Sequence, residues 1–268
     1  MNKNDFRYMH RGKQIRELKE ADFSLLNSVN LQGEKTERAV LLLHGFSSSP
    51  AVYRYLIPQL KNYDAIMCPA LPGHGTSIAS FAHATATDWL TCATESCEEL
   101  FKKYHQVDIV GLSLGGLLAC KLSEHYVFNH MFLLAPALKL NMNVNNQLKL
   151  ATLLQNLGFK ELRGAAGNLV TDERAEISYK RLPLAPVIEL FNFVLDHQWV
   201  APNVPVDLFL GTHDKVVSST QVEALFRDLP NVSIHWLKNS AHVLALDSDL
   251  EQIAACINDS VPSARENK

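Results

Sequence analysis

Apolar residues run without interruption through Arg38-Ala-Val-Leu-Leu-Leu43, the pattern of a strand covered on both faces. Beyond it, residues 50–60 read as a short helix, residues 63–68 as a second strand and Pro72-Gly73-His74-Gly75 as a turn-rich loop. Helical spacing returns at residues 87–104, where Leu90, Ala93, Cys97, Leu100, Phe101 and Tyr104 recur on one face. A buried strand at residues 107–110 follows, then a helix from Ser113 to about Tyr126. Further strands are predicted at residues 131–135, 206–210 and 232–236, with helices at 220–226 and 250–257. The last of these carries a capping-box signature, Ser248 with Glu251. Strand and helix alternating in this order predict an α/β fold, a mostly parallel sheet with helices on both faces.

The rhythm breaks at residues 136–204, too long for a crossover and helical in pattern, with no obvious strand. Leu150, Leu153, Leu154 and Leu157 form one stripe ending at Gly158, and Pro186 can open a second helix faced by Val187, Leu190, Phe191, Val194 and Leu195. The interval therefore reads as a small helical cap inserted into a core made of residues 1–135 and 205–268.

Composition changes this picture little: 268 residues, 47% hydrophobic and 20% charged, describe an ordinary globular chain with a true core. The formal charge is −3 and the basic residues are scattered, so nothing in the charge argues for a nucleic-acid partner and none is expected. One short basic cluster, Arg11, Lys13, Arg16 and Lys19, alternates with Glu17 and Glu20 as a solvated face does. The charged opening lacks a signal-peptide core, and no segment has the apolar length of a membrane span, so a cytoplasmic protein without stable membrane insertion is expected. Five cysteines (Cys68, Cys92, Cys97, Cys120, Cys256) lack metal-type spacing and read as buried free thiols. No metal or cofactor is expected, and oligomeric state leaves no signature.

The chemistry concentrates in Gly111-Leu-Ser113-Leu-Gly115, which lies between a strand and a helix as a G-x-S-x-G nucleophile turn requires. A serine hydroxyl needs a neighbouring base to take its proton. His242, after the last strand and before the final helix, sits where a loop can reach over the carboxyl edge of the sheet. An acid must then hold the imidazole tautomer. Asp214 follows the strand at 206–210 and projects from the same edge. Asp207 stands at the start of that strand, and Asp247 is better placed to start the final helix. Two backbone N–H groups are available for an oxyanion, those of Leu114 after the nucleophile and of Phe46 in His44-Gly45-Phe46.

Together with Pro72-Gly73-His74-Gly75, Gly211-Thr-His-Asp214 and Ser240-Ala-His242, these blocks resemble the bacterial carboxylesterase and monoacylglycerol lipase branch of the α/β-hydrolases, from about Arg38 to Ile257. The resemblance implies a helical cap, Ser113, Asp214 and His242 as a triad, and Phe46 with Leu114 as the oxyanion pair. It extends neither to the residues before Arg38 nor to the cap sequence. The expected reaction is hydrolysis of a small apolar ester through an acyl-enzyme. Thioester or lysophospholipid hydrolysis would use the same triad, and a silent binding protein on this fold would lack one of its members. Serine at the nucleophile turn argues against dehalogenase and epoxide-hydrolase chemistry, whose nucleophile is an aspartate.

Overall fold

The computed structural model describes residues 3–164 and 166–260. In chain order its strands and α-helices are β1 (Phe6–His10), β2 (Lys13–Glu17), β3 (Val29–Gln32), β4 (Arg38–Leu43), β5 (Ala65–Cys68), α1 (Ile78–Phe81), α2 (Ala86–Lys103), β6 (Gln106–Leu112), α3 (Leu114–Ser123), β7 (His130–Leu134), α4 (Val144–Asn156), β8 (Glu161–Arg163), β9 (Glu176–Tyr179), β10 (Arg181–Pro183), α5 (Leu184–Asp196), β11 (Val206–Gly211), α6 (Ser219–Phe226), β12 (Val232–Leu237) and α7 (Leu250–Ser260). Seven strands make the central sheet in the order β12-β11-β7-β6-β4-β5-β3, all parallel except the edge strand β3, which runs antiparallel to β5.

The continuous apolar strands owe their composition to burial on both faces. Alternate residues of β4 and β6 divide between two cores: Leu41, Leu43 and Ile109 pack with Trp89, Leu117 and Leu118 of α2 and α3, while Val40, Leu42 and Val110 pack with Ile253 and Ile257 of α7. Helix α2 starts at a reciprocal capping box in which Thr85 and Asp88 each accept the other's backbone N–H, at 3.2 and 2.9 Å. Among the described residues no helix is long and apolar enough to cross a membrane.

Several local expectations are corrected. Residues 50–60 form two 3-10 turns, Pro50–Tyr53 and Ile57–Gln59, because Pro58 has no N–H and cannot continue an α-helix. The capping box at Ser248 does not form. Helix α7 does begin at Leu250, as expected, but the Asp249 carbonyl accepts from Gln252 and Ile253, and Glu251 turns away to Arg174 at 3.2 Å. Helix α5 starts ahead of Pro186, which occupies the first turn, where a missing N–H breaks no helical bond. Of the five free cysteines, Cys68, Cys97 and Cys120 are buried as expected, but Cys92 and Cys256 are only half-buried.

The interval 136–204 is not wholly helical. Alongside α4 and α5 it carries β8 paired with β10, and β9 paired with β1. These strands have three or four residues, too few for a period to show, and β9 finds its partner about 170 positions away at the N-terminus. Residues 6–17 thus form a three-stranded sheet, β2-β1-β9, with the interval instead of joining the central sheet. The leucine stripe of α4 also faces outward, with Leu150, Leu153 and Leu157 exposed.

Candidate active site

The chain runs from β4 outward to β5 and then returns to β6 on the other side of β4, so connections diverge between β4 and β6. A crevice outside the carboxyl ends of two such strands is the natural ligand position of an open α/β sheet. The turn after β6 carries Ser113 and the turn after β4 carries Phe46.

Ser113 adopts φ 55° and ψ −114°, a conformation that costs an L-residue about 1–3 kcal/mol. The surroundings enforce it. Its N–H donates to Leu134 O at 3.0 Å, and its carbonyl accepts from Gly116, Leu117 and Ala137 at 2.9, 3.1 and 3.0 Å. The flanking glycines are required by close approach: a Cβ on Gly115 would lie 1.9 Å from Leu43 O, and one on Gly111 would lie 2.5 Å from Gly115 O.

The turn after β4 is held by a buried neutral imidazole. His44 Nδ1 donates to Gly45 O at 2.9 Å and Nε2 accepts from the Leu71 N–H at 3.0 Å, an arrangement available only to the singly protonated ring. Burial pushes the His44 pKa down to about 4, so this clamp stays neutral at physiological pH. Gly45 lies against Ser113, an ideal Cβ there being 3.4 Å from Ser113 Cβ. Phe46 is fixed by edge-on or tilted contacts with His74, Phe81 and Trp89 at 5.2–6.0 Å. Leu114 is the first residue of α3, where backbone N–H groups have no intrahelical acceptor and the helix dipole favours negative charge.

Asp214 and His242 arrive on the loops after β11 and β12. Asp214 Oδ1 accepts from the Val216 and Val217 N–H groups at 2.7 and 2.9 Å, which leaves Oδ2 facing His242 Nδ1 at 2.8 Å. His242 Nε2 lies 2.9 Å from Ser113 Oγ. The carboxylate only accepts, so Nδ1 carries the proton and Nε2 is free to accept from the hydroxyl. Burial alone would lower the His242 pKa, but the charge and hydrogen bond of Asp214, with Glu176 adding, raise it above its ordinary value. The structure therefore brings all three residues into one chain of hydrogen bonds.

The other two carboxylates considered lie elsewhere. Asp207 bonds His130 and His235 at 2.7 and 2.6 Å near the opposite end of β11. Asp247 is fully buried and accepts from Val170, Thr171 and Ala241 N–H groups, so it fastens the 166–171 loop to the residue before His242. Asn168 supports the same junction: its carbonyl accepts from His242 and Val243, and its Oδ1 from Lys215.

Ser113 and His242 open into a cavity of about 750 Å³, within the range of small-ligand pockets. Its apolar wall includes Leu140, Leu169, Leu182, Val187, Leu190 and Phe191. Two polar contributions escape the sequence patterns. Glu176, the first residue of β9, is buried in this wall and accepts from the Gly167 N–H at 2.7 Å. Burial pushes its carboxyl up, against the pull of that N–H and of His242. Arg11, in the turn of the β1–β2 hairpin, lines the cavity while donating to Val170 O at 2.6 Å.

The profile of the Alpha/beta hydrolase family matches residues 40–255, and the chain belongs to that family. It is 26% identical over 225 residues to a thermostable monoacylglycerol lipase of Bacillus sp. strain H-257, covering 80% of this chain and 86% of that protein. A carboxylesterase of Bacillus subtilis strain 168 is 23% identical, over 81% of this chain and 89% of its own. Among solved structures, one of the metagenome-derived lipolytic enzymes LipS and LipT superposes with a TM-score of 0.77 at 25% identity, covering 88% of this chain and 98% of that one.

Proposed function

We propose that this chain hydrolyses carboxylic esters with apolar acyl chains, monoacylglycerols among them, through an acyl-enzyme on Ser113. His242 takes the Ser113 proton as Oγ attacks, and Asp214 holds the tautomer and stabilises the imidazolium. The N–H groups of Phe46 and Leu114 take up the developing oxyanion. His242 next protonates the leaving alkoxide, then activates the water that releases the acid. The observation that carries this reading is the unbroken sequence Oδ2, Nδ1, Nε2, Oγ at 2.8 and 2.9 Å, opening into an apolar cavity. Residues 136–204 act as the cap over a core of residues 1–135 and 205–268, with residues 6–17 attached to the cap through β9. The same reading places the work in the cytoplasm, on a small apolar ester.

Fluorophosphonate labelling tests the nucleophile: the adduct is expected on Ser113, and labelling elsewhere, or none, overturns the assignment. For substrate class, rates on nitrophenyl esters from acetyl to palmitoyl should pass through a maximum. Each buried methylene contributes about 0.8 kcal/mol until the cavity is filled. Robust activation at a triolein interface contradicts this, and faster turnover of acyl-thioesters or lysophospholipids than of monoacylglycerols would replace the preferred substrate.

Glu176 supports the monoacylglycerol preference, because a carboxylate in a greasy pocket can accept hydrogen bonds from the free hydroxyls of a polyol leaving group. Glu176→Gln is expected to lower kcat/KM for a monoacylglycerol by roughly tenfold, from the loss of a charged acceptor, with a smaller effect on nitrophenyl esters. It has a second signature. The acid limb of the kcat/KM profile reports the ionisation of His242, which must be neutral to act, and Glu176 helps raise that pKa. Removing its charge should move the limb to lower pH. An unchanged limb would show that the carboxyl exerts no field on the base.

A further inference from the structure

At the opposite edge of the central sheet, four metal-ligating side chains meet on the face covered by α7. His130 opens β7, Asp207 is the second residue of β11, His235 lies on β12 and Cys256 on α7. Strand register assembles them: Asp207 pairs with Phe132 of β7 and Phe209 with His235, so the four positions share one face. The two imidazoles are fixed by stacking, His130 on Phe132 at 4.4 Å and 7°, His235 on Phe209 at 4.7 Å and 18°.

We propose that Asp207 Oδ1, His235 Nε2 and Cys256 Sγ form a binding site for one thiophilic divalent cation of the zinc type, with His130 steadying the carboxylate from its other oxygen. Ligand atoms of the three residues lie within 4.8 Å of one another. The Cys256 Sγ to His235 Nε2 distance is 3.8 Å, against about 3.6 Å for the S···N edge of a tetrahedral zinc site. His235 Nε2 and Asp207 Oδ1 stand 2.6 Å apart as a hydrogen bond and would open to about 3.4 Å on either side of an ion, a movement within reach of two side-chain torsions. His130 Nε2 bonds Asp207 Oδ2 at 2.7 Å, the outer-shell support that orients a ligating carboxylate. Carboxylate, imidazole and thiolate together suit zinc or cobalt better than magnesium or calcium, which take oxygen ligands. Binding releases the Cys256 thiol proton to solvent and moves the His235 proton from Nε2 to Nδ1, so that metal bonds replace the His235–Asp207 hydrogen bond and a fourth position is left for water.

The ligands at 207, 235 and 256, with their support at 130, are too dispersed to form a spacing motif, which is why the cysteines read as free thiols in the sequence. Between Asp207 and the end of β11 lies roughly 13 Å of strand, with Asp214 beyond it, so this site is separate from Ser113. A loaded ion would join β11 and β12 to α7 without entering the ester chemistry.

The test is cobalt(II) titration of the full chain after chelator treatment, followed by absorption. One equivalent is expected, with visible bands of low-symmetry cobalt and a thiolate-to-cobalt charge-transfer band. Cys256→Ser should lose the charge-transfer band and weaken binding at least tenfold, and His130→Ala should weaken it by about 10- to 100-fold. Ester turnover of each variant reports its folding, and His235→Asn, expected to bind at least tenfold more weakly, provides a further variant should either fail to fold. Ser113→Ala should bind cobalt as the unaltered chain does. Absence of a saturable signal in the unaltered chain, or an intact charge-transfer band in folded Cys256→Ser, would overturn the proposal.

Discussion

Ser113→Ala is expected to lower ester turnover by roughly four to six orders of magnitude while the protein stays folded. The covalent route needs Oγ, and no other hydroxyl is placed 2.9 Å from His242 Nε2 among the described hydrogen bonds. The N–H groups of Phe46 and Leu114 remain, so a residual rate above that in water should persist. Loss of one oxygen makes no large cavity, and alanine meets the same positive φ as serine, so the strain of the turn is unchanged. His242→Ala should cost about as much as Ser113→Ala. Combining the two should add little, because both serve a single step and their effects are strongly non-additive. Turnover of the two single variants and the double variant, with melting curves for folding, decides the matter. Near-normal activity in folded Ser113→Ala would end the nucleophile assignment, and additive losses would place the two residues in separate steps.

The proposed catalytic constellation is legible in the sequence because its members sit at punctuated positions. Ser113 lies between glycines that the fold needs for close approach, and Asp214 and His242 follow strands in order along the chain. Such signals are local, and parallel strands with buried faces announce themselves as apolar runs. What surrounds the triad is set by distant contacts. Glu176 reaches the cavity because β9 pairs with β1, and Asn168 reaches the His242 loop through backbone bonds that any residue type could make. The leucines of α4 show the limit from the other side: a helical stripe predicts amphipathicity, but not that Leu150, Leu153 and Leu157 would face outward. Asp247 reads as a helix starter by position, yet its carboxylate is consumed by N–H groups of the 166–171 loop and of Ala241. No period or motif encodes a tether whose two ends are about 75 residues apart.

Asp214→Asn should reduce turnover by about four orders of magnitude with the fold intact, through the direction in which the new amide must point. Asp214 Oδ1 accepts from two backbone N–H groups, of Val216 and Val217, and both would be stranded against a donor if the amide nitrogen took that place. The asparagine oxygen is therefore held on the backbone and its NH2 faces His242 Nδ1. An NH2 can only donate, so Nδ1 becomes the acceptor and the imidazole proton moves to Nε2. That nitrogen, 2.9 Å from Ser113 Oγ, then presents a hydrogen where it must accept one, and the hydroxyl cannot be deprotonated. The carboxylate charge that raises the His242 pKa is also gone, so the substitution should lower that pKa as well as activity. Both effects are measurable in one variant: turnover as a function of pH, and the histidine titration followed by NMR. Raising the pH should recover some rate as hydroxide substitutes for the missing base, whereas Ser113→Ala should gain nothing comparable. Full activity in folded Asp214→Asn would transfer the orienting role to another carboxylate, and Glu176, whose charge already reaches His242, is the first to examine.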